Sequence, residues 1–195
     1  AAMEQGPFDD QITQRLTTHA GWNSVVASRD FNAFISELDY GYDTESMVID
    51  WSQGDPVTDK WLTTSVVADR GWQNPGWYLE AGERYRLQAT GLCSVGTIQE
   101  GDGQLDLEST ADGISFDWYR GKPLGRLLVA QWVNKGSQSH FELIGEGAEI
   151  NITACHNGPL FLKRNNLPGR LRECRGEIRV QIVRVESAEH SPSKQ

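Results

Sequence analysis

Residues 177–185 read EIRVQIVRV, with Ile178, Val180 and Ile182 on one face and Arg179 and Gln181 on the other. A side-chain period of two belongs to a strand, whose successive residues point to opposite faces of a sheet. Residues 83–90, ERYRLQAT, repeat the pattern, alternating Tyr85, Leu87 and Ala89 with Arg84, Arg86 and Gln88. Further strands are predicted at 61–68 (WLTTSVVA), 140–145 (HFELIG), 149–154 (EINITA) and 159–163 (PLFLK), at short intervals marked by glycine. GRLLVAQW, 125–132, is continuous enough to be a central strand. About seven or eight strands at this spacing predict a mainly β fold, an antiparallel β-sandwich or jelly roll.

The stretch 94–113, SVGTIQEGDGQLDLESTADG, is the longest interruption and is expected to be a loop or flap. Ahead of the strands the pattern changes. Phe31, Phe34, Ile35 and Leu38 follow helical spacing after Asp30, a candidate N-cap, and Ile12 and Leu16 are spaced as in a helix. Met47–Trp51 reads as a short strand. The expected organisation is a helical and extended segment, 1–59, packed on a sandwich at 60–186, with a disordered tail at 187–195.

The charge balance narrows the function. With 27 acidic and 18 basic residues the formal charge is -9, which argues against nucleic acid and against docking on anionic lipid. Lys163-Arg164 and Arg170-Arg172-Arg175-Arg179 do cluster, as a local positive face or, more simply, as solvated strand edges. No apolar run approaches the roughly 20 residues that span a bilayer. An exported protein whose signal peptide has been removed is expected.

No enzyme is expected from these residues. His19, His140, His156 and His190 are scattered, and no G-x-S-x-G occurs. Asp102, Asp106, Glu108, Asp112 and Asp117 read as a solvated acidic loop, since nothing in the sequence sets two of them across a cleft. The chain has three cysteines without C-x-x-C spacing, which removes structural zinc. Cys155 and Cys174 bracket one strand-and-turn unit, so a disulfide between them and two free thiols both stand open.

Taken in order, GWYLEAGERYRLQATGLCSVG (76–96), DGISFDWYRGKPLGRLLVAQW (112–132), FELIGEGAEI (141–150), GPLFLKRNNLPG (158–169) and GEIRVQI (176–182) resemble the family of the PA-I galactophilic lectin. The resemblance covers residues 60 to 186 and implies a galactose-binding-domain-like sandwich. It also implies a sugar held through a calcium ion, bound by the loop after the strand that here reads PLFLK. By position, Asn166 stands for a calcium-ligating aspartate and Arg170 for a threonine ligand. Glu173 and Cys174 stand for two asparagines, Val95 for a backbone ligand, and Asp112 for a glutamine that touches the sugar. Arg170 and Cys174 are poor ligands for a hard cation, so the calcium site is expected to be lost and no cofactor is expected.

Sugar binding without a metal needs an aromatic platform and planar polar groups. Trp118, Asn165, Asn166, Arg170, Glu173 and Asp112 are the candidates, although Asn165-Asn166 before Leu-Pro-Gly is also a natural turn. The function expected is a non-catalytic carbohydrate- or glycan-binding module. The alternatives are an accessory or structural domain of a larger secreted enzyme, and a protein-interaction module with no sugar binding.

Overall fold

The computed structural model describes residues 24–37, 44–135 and 139–185. The chain divides into two units, Ala1–Leu38 with Asn134–His140, and Asp39–Val133 with Phe141–Gln195. In the first, helix α1 spans Ser24–Glu37. It starts earlier than the apolar spacing suggests, so Asp30 is an interior residue rather than a cap. Ala33 is buried, whereas Phe31, expected on the buried stripe, is exposed. Ile12, Leu16, Leu38 and the tail 187–195 lie outside the described residues. No described helix is long and apolar enough to cross a membrane.

The second unit is the β-sandwich. One sheet has five strands in the order β1 (Asp55–Pro56), β3 (Trp77–Leu79), β12 (Gly158–Arg164), β9 (Leu127–Val133) and β10 (His140–Glu146). The other has four, in the order β11 (Glu149–Thr153), β4 (Arg84–Thr90), β13 (Glu177–Val185) and β2 (Leu62–Val67). Between them lies one apolar core. Tyr85, Leu87, Ile178, Val180 and Ile182 from the second sheet meet Leu79, Leu127, Val129, Leu160 and Leu162 from the first. The alternation read in β4 and β13 is the alternation between this core and water.

The five-stranded sheet is covered on its other face as well. Leu128, Ala130, Phe161 and Trp72 form a second cluster there, joined by Ile49, Trp51, Trp132 and Phe141. Phe141 sits at its centre, 4.6 Å from Trp72, 4.9 Å from Trp132 and 5.2 Å from Phe161 between ring centroids. Burial on both faces explains why β9 and β12 are apolar without alternation. Met47–Trp51 makes no strand. Residues 44–47 form a turn, and the run contributes side chains, with Met47 buried and Ile49 and Trp51 packed on the aromatic cluster.

The expected loop at 94–113 is instead a hairpin, β5 (Cys93–Glu100) and β6 (Gly103–Ser109), joined through Gly101 at φ 58°. A register shift between Ser94 and Thr97 breaks the alternation that would have revealed it. A second ribbon pairs β7 (Ile114–Tyr119) with β8 (Lys122–Leu124).

Candidate functional site

The two asparagines that follow β12 are buried, each 2% exposed. Asn165 turns its amide nitrogen to three carbonyls of the β7–β8 ribbon, those of Tyr119 at 2.9 Å and of Lys122 and Pro123 at 3.0 Å. Its backbone is tied in as well, donating to Arg126 and accepting from Gly125. Gly125 has φ 78°, and a Cβ there would lie 2.5 Å from Ser109 Oγ, so the chain turns here only as glycine. Asn166 donates through Nδ2 to the Ala68 carbonyl at 3.0 Å and to Cys174 Sγ at 3.4 Å. Both amides therefore hold the fold together and neither faces solvent.

A 3-10 helix, Pro168–Glu173, follows. Proline opens it, where no backbone N–H is needed, and Pro168 and Leu171 are buried beneath it. Arg170 and Glu173 stand on its outer side as an i,i+3 ion pair, with Arg170 Nε donating to Glu173 Oε2 at 2.9 Å and Nη2 at 2.8 Å from the same oxygen. That bond, with the nearby charge of Asp117, holds the guanidinium more firmly protonated than usual. Its Nη2 would lie 3.4 Å from a Cβ at Gly96, which is glycine at φ 148°, so the guanidinium lies over bare β5 backbone next to the buried Val95. Asn166, Arg170, Glu173 and Cys174 thus meet around this turn, with Arg170 beside Gly96.

Asp112 and Trp118 belong to other elements. Asp112 accepts the Ala148 N–H through Oδ1 at 2.9 Å and so staples the turn before β7 to the β10–β11 turn. Close by, Lys122 and Arg126 both pair with Glu146. Trp118 is 58% exposed on β7, two residues from Phe116 at 72%. Its ring is fixed, because Nε1 donates to the Ser115 carbonyl at 3.0 Å, and its main-chain N–H donates to Asp117 Oδ1 at 2.8 Å. Trp72 and Trp77 are buried. Phe116 was not among the expected residues; it stands exposed in SFDWY two residues before Trp118.

Lys163 and Arg164 are buried rather than on a solvated edge. Lys163 places its ammonium 5.1 Å from the centre of the Trp72 ring. Arg164 points to the opposite face and donates Nη2 to the carbonyls of Ser109 and Thr110 at 3.2 and 2.8 Å. Burial lowers its pKa, and the neighbouring Cys93 and Cys174 oppose that shift.

All three cysteines are free. The Cys155–Cys174 disulfide is not formed, because the two thiols occupy different environments. Cys155 is exposed, while Cys174 accepts from Asn166 and donates to the Arg170 carbonyl at 3.6 Å. Burial is the largest cause that pushes the Cys174 thiol from 9.0 up to about 12. A folded pKa above the unfolded one favours the neutral thiol, so the contribution is complete below pH 9 and is lost as pH rises towards 12. Chemical denaturation at stepped alkaline pH should therefore show stability falling over that window. At neutral pH a thiol reagent should label Cys155 in the folded protein, and Cys93 and Cys174 only on unfolding. Rapid labelling of all three in the native state would contradict this burial.

Among the described residues, no group of three or more His, Cys, Asp and Glu side chains is placed to hold a metal ion. No protein-family model matches the chain, and no curated protein matches it. Solved structures do. The N-terminal domain of EclA, a PllA-like lectin, matches with 19% identity and a TM-score of 0.43, covering 63% of this chain and 95% of its own. PliG of Aeromonas hydrophila, a periplasmic inhibitor of g-type lysozyme, matches with 10% identity and a TM-score of 0.36, covering 71% of this chain and 99% of its own.

Proposed function

We propose that this chain is a non-catalytic, carbohydrate-binding β-sandwich module of an exported protein, and that it holds its ligand without a metal ion. The observation that carries the reading is the aromatic pair on β7. Phe116 and Trp118 lie two residues apart on β7, both largely exposed. Apolar surface held out in this way marks a contact site. The hydrogen bond from the indole to Ser115 fixes the ring before any ligand arrives, so stacking costs little further ordering. A sugar ring offers an apolar C–H face to such a platform, with hydroxyls at its rim for polar neighbours.

The turn expected to hold calcium does not offer a calcium shell. Calcium takes six to eight oxygen ligands, commonly including carboxylates. Here Arg170 brings its own cation, and Glu173 commits its carboxylate to Arg170. Cys174 keeps its proton, so Oδ1 of Asn166, without a partner among the described residues, is the one uncommitted side-chain oxygen that Asn166 and Cys174 bring, far short of roughly six. These residues do not fit the ion. The non-catalytic part of the reading is supported by where perturbed groups lie: Tyr85, Cys93, Arg164 and Cys174 are buried within the sandwich, and the exposed one, Arg170, is held protonated by Glu173 and has no proton to exchange near neutrality. Export is part of the same reading, because a module for surface glycans works outside the cytoplasm, and cell fractionation checks it.

Titration of wild type and Trp118→Ala with galactose, followed by a glycan array, each in calcium and in chelator, tests the proposal. Binding with a change in indole fluorescence is expected in both conditions, about tenfold weaker for Trp118→Ala. Silence of the wild type in both conditions sinks the sugar reading. A melting temperature that rises with calcium sinks the metal-free part.

A further inference from the structure

Strand β2 lies at the edge of its sheet, with β13 on one side only. The backbone directions along it are fixed by two hydrogen bonds. Ala68 N–H donates to the Gly176 carbonyl at 2.9 Å, so Ala68 faces the β13 side. Val67 faces away from it, and there Gln73 meets it. Val67 N–H donates to Gln73 Oε1 and Gln73 Nε2 donates to the Val67 carbonyl, each at 3.0 Å. A side-chain amide thus does for one residue what a neighbouring strand does along its length. By the two-residue repeat, Ser65 and Thr63 also turn their N–H and C=O outward. None of these four groups bonds to another described residue.

Edges like this are normally guarded by a charge, a proline or a bulge. LTTSVV carries no charge and no proline, and its register with β13 runs without a break. The edge borders a cleft of about 260 Å³, lined among others by Val48, Asp50, Ser65, Arg70 and Gln73. The two charged walls differ. Asp50 accepts both the N–H and the hydroxyl of Ser52, whereas Arg70 has no ion-pair partner among the described residues. Both carboxylate oxygens of Asp50 are thus engaged, whereas the guanidinium of Arg70 keeps its donors available to a ligand.

We propose that the β2 edge docks an extended peptide, which adds as a further strand beside Thr63 and Ser65 and presents a carboxylate to Arg70. Backbone bonding at the edge is indifferent to sequence. Gln73 already occupies the edge at Val67, so the added strand stops there, and a terminal or near-terminal carboxylate suits that stop. A second copy of this chain is disfavoured as the occupant, because each copy carries -9. Trp118 does not line the cleft, so this surface and the sugar platform stand or fall separately.

A phage-displayed library of random hexapeptides with free C-termini is the probe. Enriched peptides are synthesised and measured by fluorescence anisotropy against wild type, Ser65→Pro, Thr63→Pro and Arg70→Gln. Proline is tolerated on an edge strand where the N–H points to solvent, and melting curves verify each fold. Should either proline variant unfold, the amide NMR shifts of Thr63 and Ser65 in the wild type report the same contact. Loss of at least tenfold with either proline, and about fivefold with Arg70→Gln, is expected. Amidating the peptide, or changing its acidic residue to an amide, identifies which carboxylate is used. Absence of enrichment, or equal binding by the proline variants, overturns the proposal. Equal binding by Arg70→Gln removes the carboxylate, and sedimentation showing a dimer that Ser65→Pro abolishes assigns the edge to a second copy instead.

Discussion

Asn165→Ala is expected to cost about 3 kcal/mol of stability, because a buried amide whose two protons are shared among three carbonyls is removed, and the Pro123 carbonyl keeps another donor, Arg126 N–H. For a domain of this size the melting temperature should fall by roughly 6–12 °C. Asn166→Ala removes two weaker bonds, together with an Oδ1 that has no partner among the described residues, so about 1 kcal/mol is expected. The ranking is diagnostic. A ligand-binding asparagine would lose binding on truncation and leave the melting temperature in place. Scanning calorimetry of the two variants beside wild type separates these outcomes, and equal, unshifted melts would refute the structural role given to both amides.

Phe161→Ala should be costlier still, about 3–5 kcal/mol. Phe161 is fully buried, with ring centroids 5.4 Å from Trp51 and 5.2 Å from Phe141. Truncation would leave a hole among rigid rings that cannot close over it. The segment 49–51 would lose its hold at the same time, since Trp51 packs on that ring. Limited proteolysis near residue 50 should quicken in this variant, and guanidinium denaturation should show the lower midpoint. By contrast Trp118→Ala, at an exposed position, is expected to change stability by less than about 0.5 kcal/mol.

Much of this fold is legible in the chain because one physical rule, core on one side and water on the other, writes a period of two into β4 and β13. Where the rule does not apply, the reading goes astray. Lys163 and Arg164 look like a solvated edge, but β12 has no solvated face. The outer cluster covers the Lys163 side and the sandwich core covers the Arg164 side. The β5–β6 hairpin escapes notice because Ile98 and Leu105 pair across it in the open and a bulge breaks its phase.

The candidate site was legible in location more than in role. A turn after β12 that gathers Asn166, Arg170, Glu173 and Cys174 was within reach of the sequence. That Asn165 and Asn166 face inward was not, because the carbonyls they satisfy belong to residues 68 and 119–123, remote along the chain. The exposure of Phe116 beside Trp118 was equally hidden, since an aromatic on a strand reads as core until its partner sheet is known to be missing.

The outer aromatic layer has a practical consequence for anyone dividing this protein. Trp51 lies ahead of residue 60, the boundary that strand patterns alone invite, yet it shields Phe141 and Phe161 from water. A fragment starting at 60 would carry those rings as a bare, sticky plate, and its expected fate is precipitation rather than a smaller working domain.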